Sequence, residues 1–462
     1  MDATELAYAG AARQARLIAD GEVSAREVVE ASLARIERLN PVLNAFRVVF
    51  GERALAEADQ ADARRGAGDT RPLLGVPVAI KDDADVAGEI TAWGTAAHDG
   101  APRRDSDVVA RLRAAGAVIV GKTNVPELTI WPFTETLTFG ATRNPWSLDH
   151  TPGGSSGGTG AAVAAGLAGI GLGSDGAGSI RIPSAFCGLF GIKPTRDRIS
   201  LGPDHHDAWH GLAVYGPLAR TVADAALFLD ATSDGVPDGG YVAAASAPPQ
   251  RLRIAVSVKP PPGALSKLGS EQRRALEETA VLLRSLGHEV IEREVDYGPK
   301  VWLNVVARYL RGIHDDAAKM AHPHRLERRT RGMARLGALV TPGALAKARA
   351  DEAALAARVN AIFDDADLVL LPGPAGAPFR VGQLHGRGAL WTLNASAAKV
   401  PWYGVWNAIG QPAASVPAGL DAAGLPLAVQ LAGPRDAEAT LLALAAQLEE
   451  ARPWADRRPP VG

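Results

Sequence analysis

Two glycine–serine clusters, joined by a run of small apolar residues, constrain this chain more than any other feature. The first reads Gly153-Gly154-Ser155-Ser156-Gly157-Gly158-Thr159-Gly160. The second reads Gly173-Ser174-Asp175-Gly176-Ala177-Gly178-Ser179-Ile180-Arg181-Ile182-Pro183. Glycine lets backbone N–H groups turn toward one point, and a serine set in such a loop is a candidate nucleophile or hydrogen-bond relay. The intervening run is too apolar for a loop. Ala161 to Ala168 suggests a tightly packed helix, and Gly169 to Gly173 a buried strand that delivers the chain to Ser179.

Composition narrows the function classes. With 47% hydrophobic and 22% charged residues, the 462-residue chain has ample material for a core. A net charge of −2 gives no reason to expect nucleic acid or an anionic membrane as a partner. Cys187 is the lone cysteine, so no intrachain disulfide forms and the cytoplasm is the expected compartment. The N-terminus lacks a basic stretch followed by an apolar core, and the most apolar run, Ala161 to Gly173, is too short to span a bilayer.

Around the clusters the pattern alternates between helix and strand. Ser24-Ala25-Arg26-Glu27 is a capping box opening a helix that Asn40-Pro41 should stop, and a second helix is expected from about Arg53 to Arg65. Gly75 to Ile80 is a β-branched strand ending in Lys81, with Asp82 and Asp83 directly behind it. A helix from Asp107 to Ala115 and a strand from Ala117 to Val120 follow. Residues 234–249 loosen into a long surface connection. Leu252 to Ile291 reads as strand–helix–strand, which argues a mainly parallel sheet. Residues 300–365 look helical, with a basic stretch from Arg325 to Arg349 read as a solvated face; Trp302 and Tyr309 are candidates to line a pocket, with core the preferred reading. Leu368 to Leu371, Leu425 to Gln430 and a helix from about Glu438 to Glu450 close the chain.

Three near-matches fail on context. Gly116 to Thr123 fits the Walker A spacing, but its middle residues are themselves strand, so no nucleotide site is expected. Gly154-Ser155-Ser156-Gly157-Gly158 fits a nucleophile elbow, which demands a preceding strand, and His150-Thr151-Pro152 is not one. His205, His206 and His210 lie in a polar loop that fixes no ligand spacing, so they read as surface residues and no metal is expected.

With histidine unsupported, a lysine is the remaining means of activating a serine. It accepts a hydroxyl proton only when neutral, so burial must depress its pKa, and Lys81 at the end of an apolar strand suits that need. The Gly176-Ala177-Gly178 backbone before Ser179 is a candidate oxyanion hole, and Ser155 a candidate relay.

Gly153–Gly158, Asp175–Pro183 and Gly191-Ile192-Lys193-Pro194 resemble the amidase signature family. The resemblance extends to Gly75–Lys81, Gly121–Asn124, Asn144-Pro145-Trp146 and Gly410-Gln411-Pro412. It implies an α/β fold, a three-layer α/β/α sandwich with a large mixed, mainly parallel central sheet, here as one domain over residues 1–462. Within it, about 1–70 would form a helical layer, 71–230 the catalytic core, and 250–450 the rest of the sheet with a helical insertion near 300–365.

The resemblance further implies hydrolysis of a carboxylic acid amide, without cofactor, through a serine acyl-enzyme. Ser179 falls on the nucleophile, Ser155 on the cis-bonded bridging serine and Lys81 on the base. The amides of Gly176, Ala177, Gly178 and Ser179 fall on the oxyanion hole. Ser156, Asp175 and Arg181 fall on supporting positions, and Cys187 is expected in the core. Trp131 and Phe133 lie where the family's acyl pocket draws residues. The partner implied is a small-molecule amide; a homodimer is left open. The alternative is the glutaminase-type catalytic component of a tRNA-dependent amidotransferase. Such components read Asp-Thr-Gly-Gly-Ser where this chain has Asp175-Gly176-Ala177-Gly178-Ser179, which favours a stand-alone amidase.

Overall fold

A computed structural model describes residues 1–461 apart from Asp99 and Asp204. Eleven strands form one sheet: β1 (Phe46–Val49), β2 (Pro77–Lys81), β3 (Val118–Thr123), β4 (Ile170–Asp175), β5 (Phe190–Lys193), β6 (Val214–Ala219), β7 (Arg253–Val256), β8 (Glu289–Glu292), β9 (Leu368–Pro372), β10 (Ala413–Leu420) and β11 (Pro426–Ala432). Their spatial order is β1-β3-β2-β4-β6-β5-β10-β11-β9-β7-β8.

Successive side chains of a strand point to opposite faces, and the core divides accordingly. Val78, Ile80, Ile119, Ile254 and Leu370 pack on one face with the helices Asp107–Ala114, Val222–Thr232, Ser270–Ser285 and Glu438–Ala451. Ala79, Val118 and Val120 pack on the other with Ala25–Leu43, Gly51–Gly66 and Gly157–Ala164, and Ala255, Val369 and Leu371 continue that face. The result is the expected helix–sheet–helix layering. Among the described residues no helix is long and apolar enough to cross a membrane.

The expectation of a mainly parallel sheet is corrected. Only the pairs β3–β2, β2–β4, β9–β7 and β7–β8 are parallel; the other six pairings are antiparallel. The strand–helix–strand reading of 252–291 holds locally, but β10 and β11 form a hairpin that needs no crossover. The central strands are thereby antiparallel.

Three local differences have physical causes. The first long helix runs through Pro41 to Leu43 and ends at Asn44 in the left-handed region, with the Asn40 side chain bonding both backbone groups of Phe46. The loose stretch contains a helix, Gly240–Ser246, whose first N–H groups are received by Asp230, a partner distant in sequence. The helix between the serine clusters begins at Gly157 and ends at Ala164. Its glycines serve close approach: a Cβ on Gly158 would lie 2.5 Å from the carbonyl of Ala45 and from the backbone of Asn124.

Candidate active site

Lys81 is the last residue of β2 and, by the alternation of the strand, points to the face carrying Ala79 and the helix Gly157–Ala164. Ser155 lies just before that helix, after a cis Gly154–Ser155 peptide. Lys81 Nζ donates to Ser155 Oγ at 2.7 Å and to Ser174 Oγ at 2.7 Å. Ser174, near the end of β4, donates in turn to Asp83 Oδ2 at 2.5 Å, and that same oxygen lies 3.2 Å from Lys81 Nζ. Burial pushes the Lys81 ammonium below its ordinary pKa, while Asp83 and, more weakly, Asp175 push it back up. Ser156 is turned elsewhere: its hydroxyl donates to the carbonyl of Ser174 and its N–H to that of Ser179.

The loop from Gly176 to Ser179 is shaped by a buried ion pair. Arg181 grips Asp175 with two parallel bonds of 2.9 and 3.0 Å, and also donates to Gln430, Asn407 and the carbonyl of Tyr403. Asp175 in turn accepts the N–H groups of Gly178 and Ile180. So many donors, Arg181 chief among them, hold its carboxyl well below the usual carboxylate range. Gly178 adopts φ +117°, which a side chain would strain, and a Cβ there would meet Ile182 and Tyr403 at 2.8 Å. Because the Gly178 N–H is taken by Asp175, it is not available for an oxyanion. The N–H groups of Gly176, Ala177 and Ser179 make no hydrogen bond to a side chain or across a turn among the described residues.

Ser179 is half-buried and lies on the shared boundary of two compartments. One is apolar, walled by Ile130, Trp131, Trp302, Val305, Tyr309 and Val405 among others. The other is polar, with Ser155, Asp83, His205, His210 and Asp316 in its walls. Trp209 lines both.

The aromatic expectations divide. Trp131 faces the apolar compartment, but Phe133 does not; it stacks on Trp131 with ring centres 5.9 Å apart and is fully buried. Trp302 and Tyr309, for which core is the preferred reading from sequence, both line the compartment, and the Tyr309 hydroxyl donates to the carbonyl of Ile130. The helix Val301–Lys319 lays one face on the cavity, which its apolar periodicity alone could not distinguish from a face on the core. Of the three histidines read as surface residues, His206 is exposed and His205 and His210 are half-buried; all three line the polar compartment, and the helix Val301–Lys319 packs over their loop, where Arg308 donates to the carbonyl of His210. The basic stretch is not wholly solvated either, since the Arg329 guanidinium lies over the Trp131 and Phe133 rings. Ser174 and Asp83 are the functional residues that sequence reasoning misses; the alternation of β4 and the acids behind Lys81 are the available signals. Cys187 is buried, and burial holds its thiol far above its ordinary range.

Residues 27–442 match the Amidase family. The chain belongs to that family. It is 57% identical, over the whole length of both chains, to a putative amidase AmiB2 of Mycobacterium tuberculosis. It is 35% identical to the 6-aminohexanoate-cyclic-dimer hydrolase of Paenarthrobacter ureafaciens, over 97% of this chain and 96% of that one. A structure of a 6-aminohexanoate cyclic dimer hydrolase complexed with substrate superposes with a TM-score of 0.86 at 32% identity, covering 98% and 99% of the two chains. This amidase is thus a hydrolase of carbon–nitrogen amide bonds.

Proposed function

We propose that this amidase hydrolyses amides of apolar carboxylic acids through an acyl-enzyme on Ser179. Neutral Lys81 takes the proton of Ser155 Oγ while Ser155 takes that of Ser179, whose oxygen attacks the amide carbonyl. The amides of Gly176, Ala177 and Ser179 receive the oxyanion. Ser155 then protonates the departing amine, its own proton replaced from Lys81, and water attacks the acyl-enzyme by the same relay. Asp83, 3.2 Å from Nζ, favours the ammonium that Lys81 becomes after taking the proton.

The observation that carries this reading is the 2.7 Å contact between a fully buried Lys81 Nζ and Ser155 Oγ, in a wall shared with Ser179. Since only unprotonated lysine accepts the proton, kcat/KM rises with pH along an ionisation of the free enzyme. Lys81→Ala should abolish that ionisation and lower activity by about two to four orders of magnitude, the usual contribution of a general base. Ser155→Ala should act in the same direction, and the double variant should lose far less than the product of the two. Asp83→Asn removes the charge that favours the ammonium, so the rising limb should move to lower pH. A folded Lys81→Ala protein of near wild-type activity would exclude the mechanism.

A further inference from the structure

The two compartments meeting at Ser179 differ in chemistry, and proton delivery decides which half of the substrate enters each. The departing nitrogen takes its proton from Ser155 in the reading above, on which this inference rests. Ser155 lines the polar compartment and not the apolar one. The amine half therefore lies among the polar groups, and the acyl half against Trp131, Trp302 and Val305.

Four carboxylates line the polar compartment, and three have a cationic partner close by. Asp83 faces Lys81, Asp207 pairs with Arg349, and Asp315 accepts from Arg311 at 2.8 Å with His210 Nε2 at 3.0 Å. Asp316 differs. Its Oδ2 accepts the neutral indole N–H of Trp209 at 2.8 Å, and among the described residues its Oδ1 has only Lys319 at 3.5 Å, a side chain 73% exposed to water. An exposed lysine at that distance contributes little. Burial holds the Asp316 carboxyl above its usual range, as expected for a charge incompletely matched. Its position is fixed from behind: the Trp209 ring packs edge-on against Tyr309, 5.1 Å between centres, so the indole N–H that orients Asp316 is itself held.

We propose that the polar compartment selects amides whose amine half ends in an ammonium group, with the Asp316 carboxylate as its acceptor. Such a group would displace the exposed Lys319 and give Asp316 a closer cation, while the indole bond keeps the second oxygen in place. Trp209 stands at the divide and separates the ammonium end from the apolar acyl half.

The test compares N-(2-aminoethyl)-, N-(4-aminobutyl)- and N-(6-aminohexyl)benzamide with N-alkyl benzamides of equal length. For at least one length the ammonium substrate should be favoured in kcat/KM by about tenfold, the effect of one partly desolvated charged hydrogen bond. Asp316→Asn keeps the acceptor for Trp209 and should abolish that ratio. No preference at any length, or a preference surviving Asp316→Asn, would overturn the proposal. Hydrolysis of none of these amides would count against the function proposed above rather than against this site. In that case calorimetry on Ser179→Ala protein reads the same paired ligands: a Kd ratio of about tenfold that Asp316→Asn removes supports the site, and equal Kd values refute it.

Discussion

Replacing Arg181 by Met tests whether the buried ion pair beneath Ser179 holds the Gly176–Ser179 loop. Both partners are fully buried, so the substitution leaves the Asp175 carboxylate without its cation and in a low-dielectric interior. Breaking such a pair from one side costs about 3–5 kcal/mol. Asp175 keeps the N–H groups of Gly178 and Ile180 and the Asn407 amide, which places the expected loss at about 3 kcal/mol, the lower end of that range. Unfolding entropy of about 2.1 cal/mol/K per residue, over 462 residues, gives about 1 kcal/mol for each degree of melting temperature. The variant should therefore melt about 3 °C lower by calorimetry. Adding Asp175→Asn removes the stranded charge, so the double variant should be less destabilised than the two single losses summed. Activity should fall in both single variants although Lys81, Ser155 and Ser179 are untouched, because the Asp175 side chain that receives the Gly178 and Ile180 N–H groups is no longer clamped by Arg181. An Arg181→Met protein with unchanged melting temperature and full activity would refute the assignment of loop geometry to this pair.

Two further outcomes are expected. Glu449 is pushed up to about 7 by burial, with one carboxylate oxygen lacking a hydrogen bond among the described residues. An acid raised in the folded state binds its proton more tightly there, so stability falls as pH rises from its unfolded value toward about 7. Glu449→Gln should then raise the melting temperature at pH 8, by about 1–3 °C, and change it little at pH 4; an equal shift at both would contradict the linkage. The purified chain alone should hydrolyse simple amides, as its departure from the Asp-Thr-Gly-Gly-Ser pattern implies. Ammonia release from glutamine only after addition of partner proteins would reverse that expectation.

The loops and the strand-end lysine are legible in the sequence because local rules govern both. Clustered glycines mark where backbone amides converge, and a lysine closing a β-branched run must be buried with its strand. Long-range pairing is less legible. The antiparallel centre depends on which strands meet, and one strand–helix–strand unit does not determine the neighbours of the others. Sequence reasoning leaves Tyr309 and Trp302 between pocket and core, with core preferred, because an apolar helical stripe looks the same whether it covers a core or a cavity. The Gly178 amide counts there as a free donor because sequence does not show that Asp175, three residues earlier, claims it. Asp83 and Ser174 escape notice for a related reason: their role follows from both converging on Lys81 Nζ from different strand ends.

The central claim is that Ser179 carries the acyl group. Treating the protein with a serine-reactive fluorophosphonate and mapping the adduct by peptide mass spectrometry tests it most directly. A single adduct on Ser179, lost in Ser179→Ala and slowed in Lys81→Ala, is the predicted result. An adduct on Ser156, whose hydroxyl here bonds the carbonyl of Ser174, would contradict the account.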